Sequence, residues 1–310
     1  YETFVLPEDR ETYSALLGLV LGFFIISVLE YGYIRRFFPE NSGRYKLMLS
    51  YFLKDWKLIF INFFYVFGLY VHNFVFWTTD LRTVVVRSFV CTEPYDVATC
   101  IAMFTNIAAS VIFISRVEMR FRSRYKAYTE AVIGGRWMDI ETSKKRMFRQ
   151  LSEELVNLVR LQFIVSVTVY FLAVVILPRV GYGGLTMEFY PCLAAAYFPL
   201  FVMYGSILFL YYFNDLTGAL MTTSVFFFVT LVGSIIATHL PYLWGGLGLF
   251  AGSMAGFLVA YFRLRWLERN LDAHVFCKSH IFKRSKGLRP SGKVLDRREG
   301  IDETELVTEA

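Results

Sequence analysis

The chain has 310 residues, 56% hydrophobic and 18% aromatic, with a mean hydropathy of +0.46. A soluble domain buries its core with a smaller apolar share, and here the apolar residues gather into uncharged runs close to the ~20 residues that cross a bilayer. A soluble protein is excluded. The net charge of +6 (32 Lys and Arg against 26 Asp and Glu) therefore reads as basic loops at a membrane, not as a nucleic-acid surface.

In chain order, "YETFVLPEDRET" comes first. It is acidic and lacks the basic start of a signal peptide, so residues 1–12 are expected to be an extracytoplasmic lead-in within a piece of a longer protein. Seven transmembrane helices are then predicted: Tyr13–Arg35, Leu58–Thr78, Val97–Arg116, Leu158–Pro178, Tyr190–Phe213, Thr217–Leu240 and Leu243–Arg265. Their length, and the absence of period-two alternation, rule out barrel strands. The fold class is an all-α polytopic membrane protein.

The connections set the direction. Arg35, Arg36, Arg44, Lys46, Lys54 and Lys57 crowd the first, a basic cytoplasmic linker over residues 38–57. The third carries a still denser set from Arg116 to Arg149, and Arg263, Arg265 and Arg269 follow the last span. The connections between hold only Arg82 and Arg87, then Arg179. Positive loops lie inside, so the C-terminus is expected in the cytoplasm and Tyr1 outside.

Two segments leave the bilayer. A cytoplasmic helical insertion covers residues 118–157, turning at Gly134-Gly135. Asp139 is the expected N-cap of its second half. There Met147, Leu151, Leu155 and Leu158 recur at helical spacing, with Lys144, Lys145 and Arg149 elsewhere on the cylinder. Such a basic amphipathic helix suits anionic headgroups of membrane lipids or a cytoplasmic partner. The tail 284–310 is basic, then acidic, and poor in large apolar residues, the composition of a disordered segment.

Polar residues inside a span are costly and face other helices or a wet cavity. In the second span Asn62, Tyr65, Asn73 and Asp80 fall on one face, with His72 at its edge. Asn106 and Ser110 repeat in the third span, and Gln162, Ser166 and Tyr170 in the fourth. Asn62, Tyr65, His72, Asn73, Asn106 and Gln162 are thus the candidate lining of a substrate path. For Asn62, Asn106 and Gln162 the competing reading is helix-to-helix hydrogen bonding, and for His72 both readings stand. His72 is also the titratable side chain well inside a span near pH 7. Tyr70 and Trp77 are aromatic neighbours of His72 and Asn73. In the last span Gly248, Gly252, Gly256 and Ala260 form a ridge for close helix approach.

No catalytic motif appears, and the four histidines do not cluster. No metal site, cofactor or enzymatic activity is expected. Of Cys91, Cys100, Cys192 and Cys277, only the first two could meet outside the cytoplasm.

The stretches "LYVHNFVFWTTD", "RSRYKAYTEAVIGGRWMDIE…RQLSEELVNLVRLQ" and "YFND" resemble the PelG-type membrane proteins of Pel exopolysaccharide systems, in the MOP flippase superfamily. The resemblance implies two six-helix bundles around a central cavity. Residues 13–37 would be the last helix of a truncated first bundle, and residues 58–283, the last six spans, the C-terminal one. It implies an exporter or flippase of the bacterial inner membrane, passing a polysaccharide or lipid-linked saccharide by alternating access. The alternative is a membrane scaffold subunit that docks a cytoplasmic glycosyltransferase through Lys144, Lys145 and Arg149, beside other scaffold subunits of a synthase complex.

Overall fold

The structure, a computed structural model, describes residues 10–38, 45–86 and 89–278. The lead-in to residue 9, Arg44, Arg87 and the tail 284–310 lie outside the described residues. The chain forms two units, Tyr1–Trp56 and Lys57–Ala310.

In the first unit α1 runs over Arg10–Phe37 and ends on Arg35 and Arg36, cations that suit the negative end of the helix dipole. Its described side chains are almost all exposed although they are apolar, the mark of a helix made for hydrocarbon or another helix. Where a linker was expected, a short helix forms, α2 over Tyr45–Lys54.

The second unit begins with α3 (Trp56–Phe76), followed by a small antiparallel hairpin of β1 (Thr83–Val86) and β2 (Phe89–Cys91). Then come α4 (Glu93–Gly134), α5 (Trp137–Val180), α6 (Leu185–Tyr212), α7 (Leu216–Ala237), a single 3-10 turn at Tyr242–Trp244, and α8 (Leu247–Lys278). Among the described residues six helices are long and apolar enough to cross a membrane. The expected span Val97–Arg116 is helical as the first half of α4 but is not among those six.

Helices α4 and α5 have 42 and 44 residues, or about 63 and 66 Å at ~1.5 Å per residue. A ~30 Å hydrocarbon core holds less than half of that. The rest of each continues as a helical hairpin that turns at Gly134 and Gly135, as the sequence predicts, without a break where the apolar run stops. Asp139 is not the N-cap. Helix α5 starts earlier, with Arg136 as the flanking residue, and the Asp139 carboxylate reaches back to accept from the Arg136 N–H at 3.1 Å. The apolar stripe of this helix does not face headgroups. Met147, Phe148, Leu151 and Leu158 are buried in the core, with Phe148 stacked on Phe213 at 5.4 Å between centroids.

Helix α6 is the centre, with 78% of its apolar stretch buried. It is apolar all round, so no face can be given to water, and α4, α5 and α8 pack against it. Pro199 lies inside it and removes a backbone donor. Next to the carbonyl so freed, Ser253 of α8 donates to Ala196 O at 3.3 Å. The turn into α7 is closed by Asp215, which accepts from Gly218 N at 3.3 Å and pairs with Arg263 of α8 through two contacts, one of 3.0 Å. Asp215 is almost fully buried, so the guanidinium answers a carboxylate that would be costly alone. Cys91, Cys100 and Cys192 are free thiols, so the first two do not pair.

The glycine ridge of α8 meets α7. A Cβ on Gly252 would sit 2.9 Å from Phe226 O and Thr230 N, and one on Gly248 would run into Ser234, 2.6 Å from its Cα. Backbone cannot yield as a side-chain tip can. We expect Gly248→Val to cost about 2–3 kcal/mol through overpacking, read as a lower unfolding midpoint of the detergent-solubilised protein, while Gly22→Val in α1, which has open space around it, leaves the midpoint unchanged.

Candidate functional site

The pair His72-Asn73 sits where α3 meets the first turn of α4. Pro94 fits that turn because its missing N–H would have no helical partner there. Asp96, one turn in, is the hub. It accepts from Asn73 Nδ2 at 2.7 Å, from Trp77 Nε1 at 2.9 Å and from Thr92 N at 2.9 Å. His72 Nδ1 lies 2.8 Å from the Tyr95 hydroxyl, which in turn reaches Gly245 O at 3.4 Å. With Tyr95 donating to that carbonyl, the imidazole carries its proton on Nδ1. Tyr95 also stacks on Phe76 at 3.9 Å. His72 is wholly buried, and its Nε2, like Asn73 Oδ1, has no partner among the described residues. Trp77, their aromatic neighbour just past the end of α3, is half-buried and donates its Nε1–H to Asp96.

Two turns nearer the start of α3 a groove of about 230 Å³ opens among α3, α4 and α6. Tyr65 and Leu69 form one side, Asn106 and Ser110 the other, with Tyr197 and Tyr204 at the back. The rings of Tyr65 and Tyr204 are 5.4 Å apart. Behind Asn106, Gln162 of α5 donates from Nε2 to Asn106 Oδ1 at 3.1 Å, and also contacts Ser166 Oγ at 3.3 Å. That holds the Asn106 amide oxygen toward α5 and so directs its NH₂ away from Gln162. Tyr170, next in the same row, stacks on Tyr190 at 5.7 Å. No charged side chain lines the groove among the described residues. At 230 Å³ it is smaller than the roughly 300–1,000 Å³ of a pocket that encloses a drug-sized ligand. It is a seat for part of a molecule.

The six candidate path residues thus separate. Tyr65 and Asn106 line the groove, and Gln162 braces Asn106 from behind. His72 and Asn73 join α3 to α4. Asn62 is exposed and lines neither. On the helical hairpin, Lys145 pairs with Glu141 at 2.8 Å and Arg149 with Glu153 at 3.1 Å, while Lys144 is half-buried. Asp96, Tyr197 and Tyr204 escaped the sequence reading. Asp96 carried one signal, an acidic residue two positions after a proline and just before an apolar run. The two tyrosines carried none, because α6 is aromatic on every side.

Helices that cross a membrane several times, around an uncharged seat of hydroxyl and amide groups, define a multi-pass membrane protein with a polar site in its interior. The sequence model of the PelG family, described as "Putative exopolysaccharide Exporter (EPS-E)", matches residues 2–276. The chain belongs to the PelG family. No curated protein and no solved structure matches it significantly.

Asp96→Leu leaves the Asn73 and Trp77 donors unpaired in the interior. Hydrogen bonds to a charged acceptor contribute about 1.5–3 kcal/mol each, so the substitution is expected to lower stability by at least about 2 kcal/mol in a denaturant titration of the solubilised protein. His72→Gln, which keeps a donor for Tyr95, is expected to cost less than His72→Leu. The reverse order would mean that the Tyr95 contact carries no weight.

Proposed function

We propose that this chain moves an exopolysaccharide, or its lipid-linked precursor, across the bacterial inner membrane, and that the groove of Tyr65, Asn106 and Tyr204 lies on the path. The observation that carries this reading is the groove's chemistry. Sugar hydroxyls that leave water need replacement hydrogen bonds, and Asn106, Ser110 and the tyrosine hydroxyls offer them without a fixed charge. Tyrosine rings offer flat apolar faces to the C–H side of a sugar ring. The work is transfer, with no bond made or broken. In this reading α1 ends a first six-helix bundle, residues 58–283 are the second, the basic end and the C-terminus lie in the cytoplasm, and the two bundles rock to alternate access.

A second observation favours a scaffold role beside transport. On the hairpin of α4 and α5, Arg124, Arg146 and Arg149 border a polar cleft of about 340 Å³ together with Gln150 and Glu153, and Lys144 and Lys145 directly precede Arg146 in the chain. That surface suits an acidic face of a cytoplasmic glycosyltransferase.

The test is polymer secretion by cells carrying variants of the full-length protein at equal membrane abundance. Tyr65→Ala and Asn106→Leu are each expected to reduce secretion at least about tenfold, Tyr65→Phe much less, and exposed Asn62→Ala hardly at all. Normal secretion by both of the first two variants removes the groove from the path. Reversing charge at Lys144, Lys145 and Arg149 breaks, at Lys145 and Arg149, surface ion pairs that contribute about 0–1 kcal/mol each. Loss of the co-purifying glycosyltransferase after that reversal is expected from a scaffold, and unchanged recovery would leave transport alone.

A further inference from the structure

A second groove, of about 320 Å³, runs between α5 and α8 at the basic end of the bundle. Leu151, Leu155 and Val159 form one wall at four-residue spacing, Phe257 and Leu264 form the other, and Val202 of α6 is the floor. Along α8 the groove extends from Phe257 to Glu268, which is about 16 Å at ~1.5 Å per residue. On α8 that stretch brackets Arg265, the expected cytoplasmic end of the last span, and on α5 it enters residues 151–157 of the helical hairpin.

The groove is narrow, about 320 Å³ in volume over about 16 Å of helix, and has room for one hydrocarbon chain.

The two ends differ in chemistry. The end at Val159 and Phe257 is apolar, whereas Ser152, Tyr261, Arg265 and Glu268 meet at the other. There the Arg265 guanidinium is held in place, with Nη1 on Glu268 at 3.0 Å and Nε on the Tyr261 hydroxyl at 3.2 Å. It still has Nη2, which has no partner among the described residues, and more than half of the side chain is exposed at the mouth. Arg269, also exposed, follows one turn on. Guanidinium groups match phosphate oxygens in geometry and charge.

We propose that this groove is a lipid site: one acyl chain of an anionic phospholipid lies between α5 and α8, with its phosphate on Arg265. The lipid would then fill the seam between two helices that both pack on α6, and its site does not depend on what the protein exports.

The test is native mass spectrometry of the full-length protein in mild detergent, titrated with phosphatidylglycerol or with phosphatidylethanolamine of identical chains. One phosphatidylglycerol is expected to be retained about fivefold more than phosphatidylethanolamine, the scale of a single basic residue acting on an anionic headgroup. Arg265→Gln is expected to remove that preference, lowering phosphatidylglycerol retention more than phosphatidylethanolamine retention. Val156→Trp, which fills the groove, is expected to displace both lipids. On the unmodified protein, phosphatidylglycerol with a photoreactive acyl chain is expected to label peptides from 151–159 and 257–264. Equal retention of the two lipids, an undiminished preference in Arg265→Gln, or labelling elsewhere would each overturn the proposal. Since the labelling uses no variant, it decides the matter even if Val156→Trp does not fold.

Discussion

In hydrocarbon a polar group finds its partner inside the protein or goes without one. The arrangement of this bundle follows from how its helices meet that demand. Several serine and threonine hydroxyls along α6 and α7 turn back onto their own helices, as Ser206 does on Val202 O at 2.9 Å and Thr222 on Gly218 O at 2.9 Å. Longer side chains of α3 to α5 cross to a neighbour. Asn73 and Trp77 of α3 therefore depend on Asp96 of α4, and Asn106 of α4 depends on Gln162 of α5. These crossings tie α3, α4 and α5 together in chain order, while α6 contributes the apolar and aromatic mass on which they rest.

The two kinds of helix contact give two kinds of space. Between α7 and α8 the glycines allow backbone against backbone, and Gly233 and Gly248 approach so closely that a Cβ on the first would lie 2.8 Å from the Cα of the second. Nothing fits between them. Helix α3 meets its neighbours largely through rings, including Tyr65 on Tyr204 at 5.4 Å and Phe64 on Phe227 at 5.5 Å. Rings hold helix axes apart, and the uncharged groove occupies the space they leave. Small residues make the stiff seam and large ones make the cavity.

What the sequence disclosed follows the same division. The glycine ridge of α8 was legible because a four-residue repeat of small side chains has one common use. The row of Gln162, Ser166 and Tyr170 was legible because amides and hydroxyls stand out against valine and isoleucine. In contrast, α6 has no period to read, and the contributions of Tyr197 and Tyr204 to the groove stayed hidden in an aromatic run. The full extent of α4 was hidden too. A change from apolar to charged residues ends a membrane span but does not end a helix, since Arg, Lys and Glu are good helix formers. His72 attracted attention for its proton, yet its surroundings give it a fixed partner in Tyr95. Spacing alone could not tell a residue that faces a cavity from one that joins two helices.

Charge completes the argument about the groove. Arg124, Arg146 and Arg149 of the helical hairpin border a charged cleft, whereas among the described residues the groove between α3, α4 and α6 is lined by tyrosine, asparagine, serine and apolar side chains. A charged group in a membrane interior is expensive unless an opposite charge awaits it, and none of the described lining residues carries one. Under the transport reading proposed above, a neutral polyhydroxylated ring would meet hydroxyl and amide dipoles in this groove, whereas a substituent with a full charge would meet no counter-ion among them.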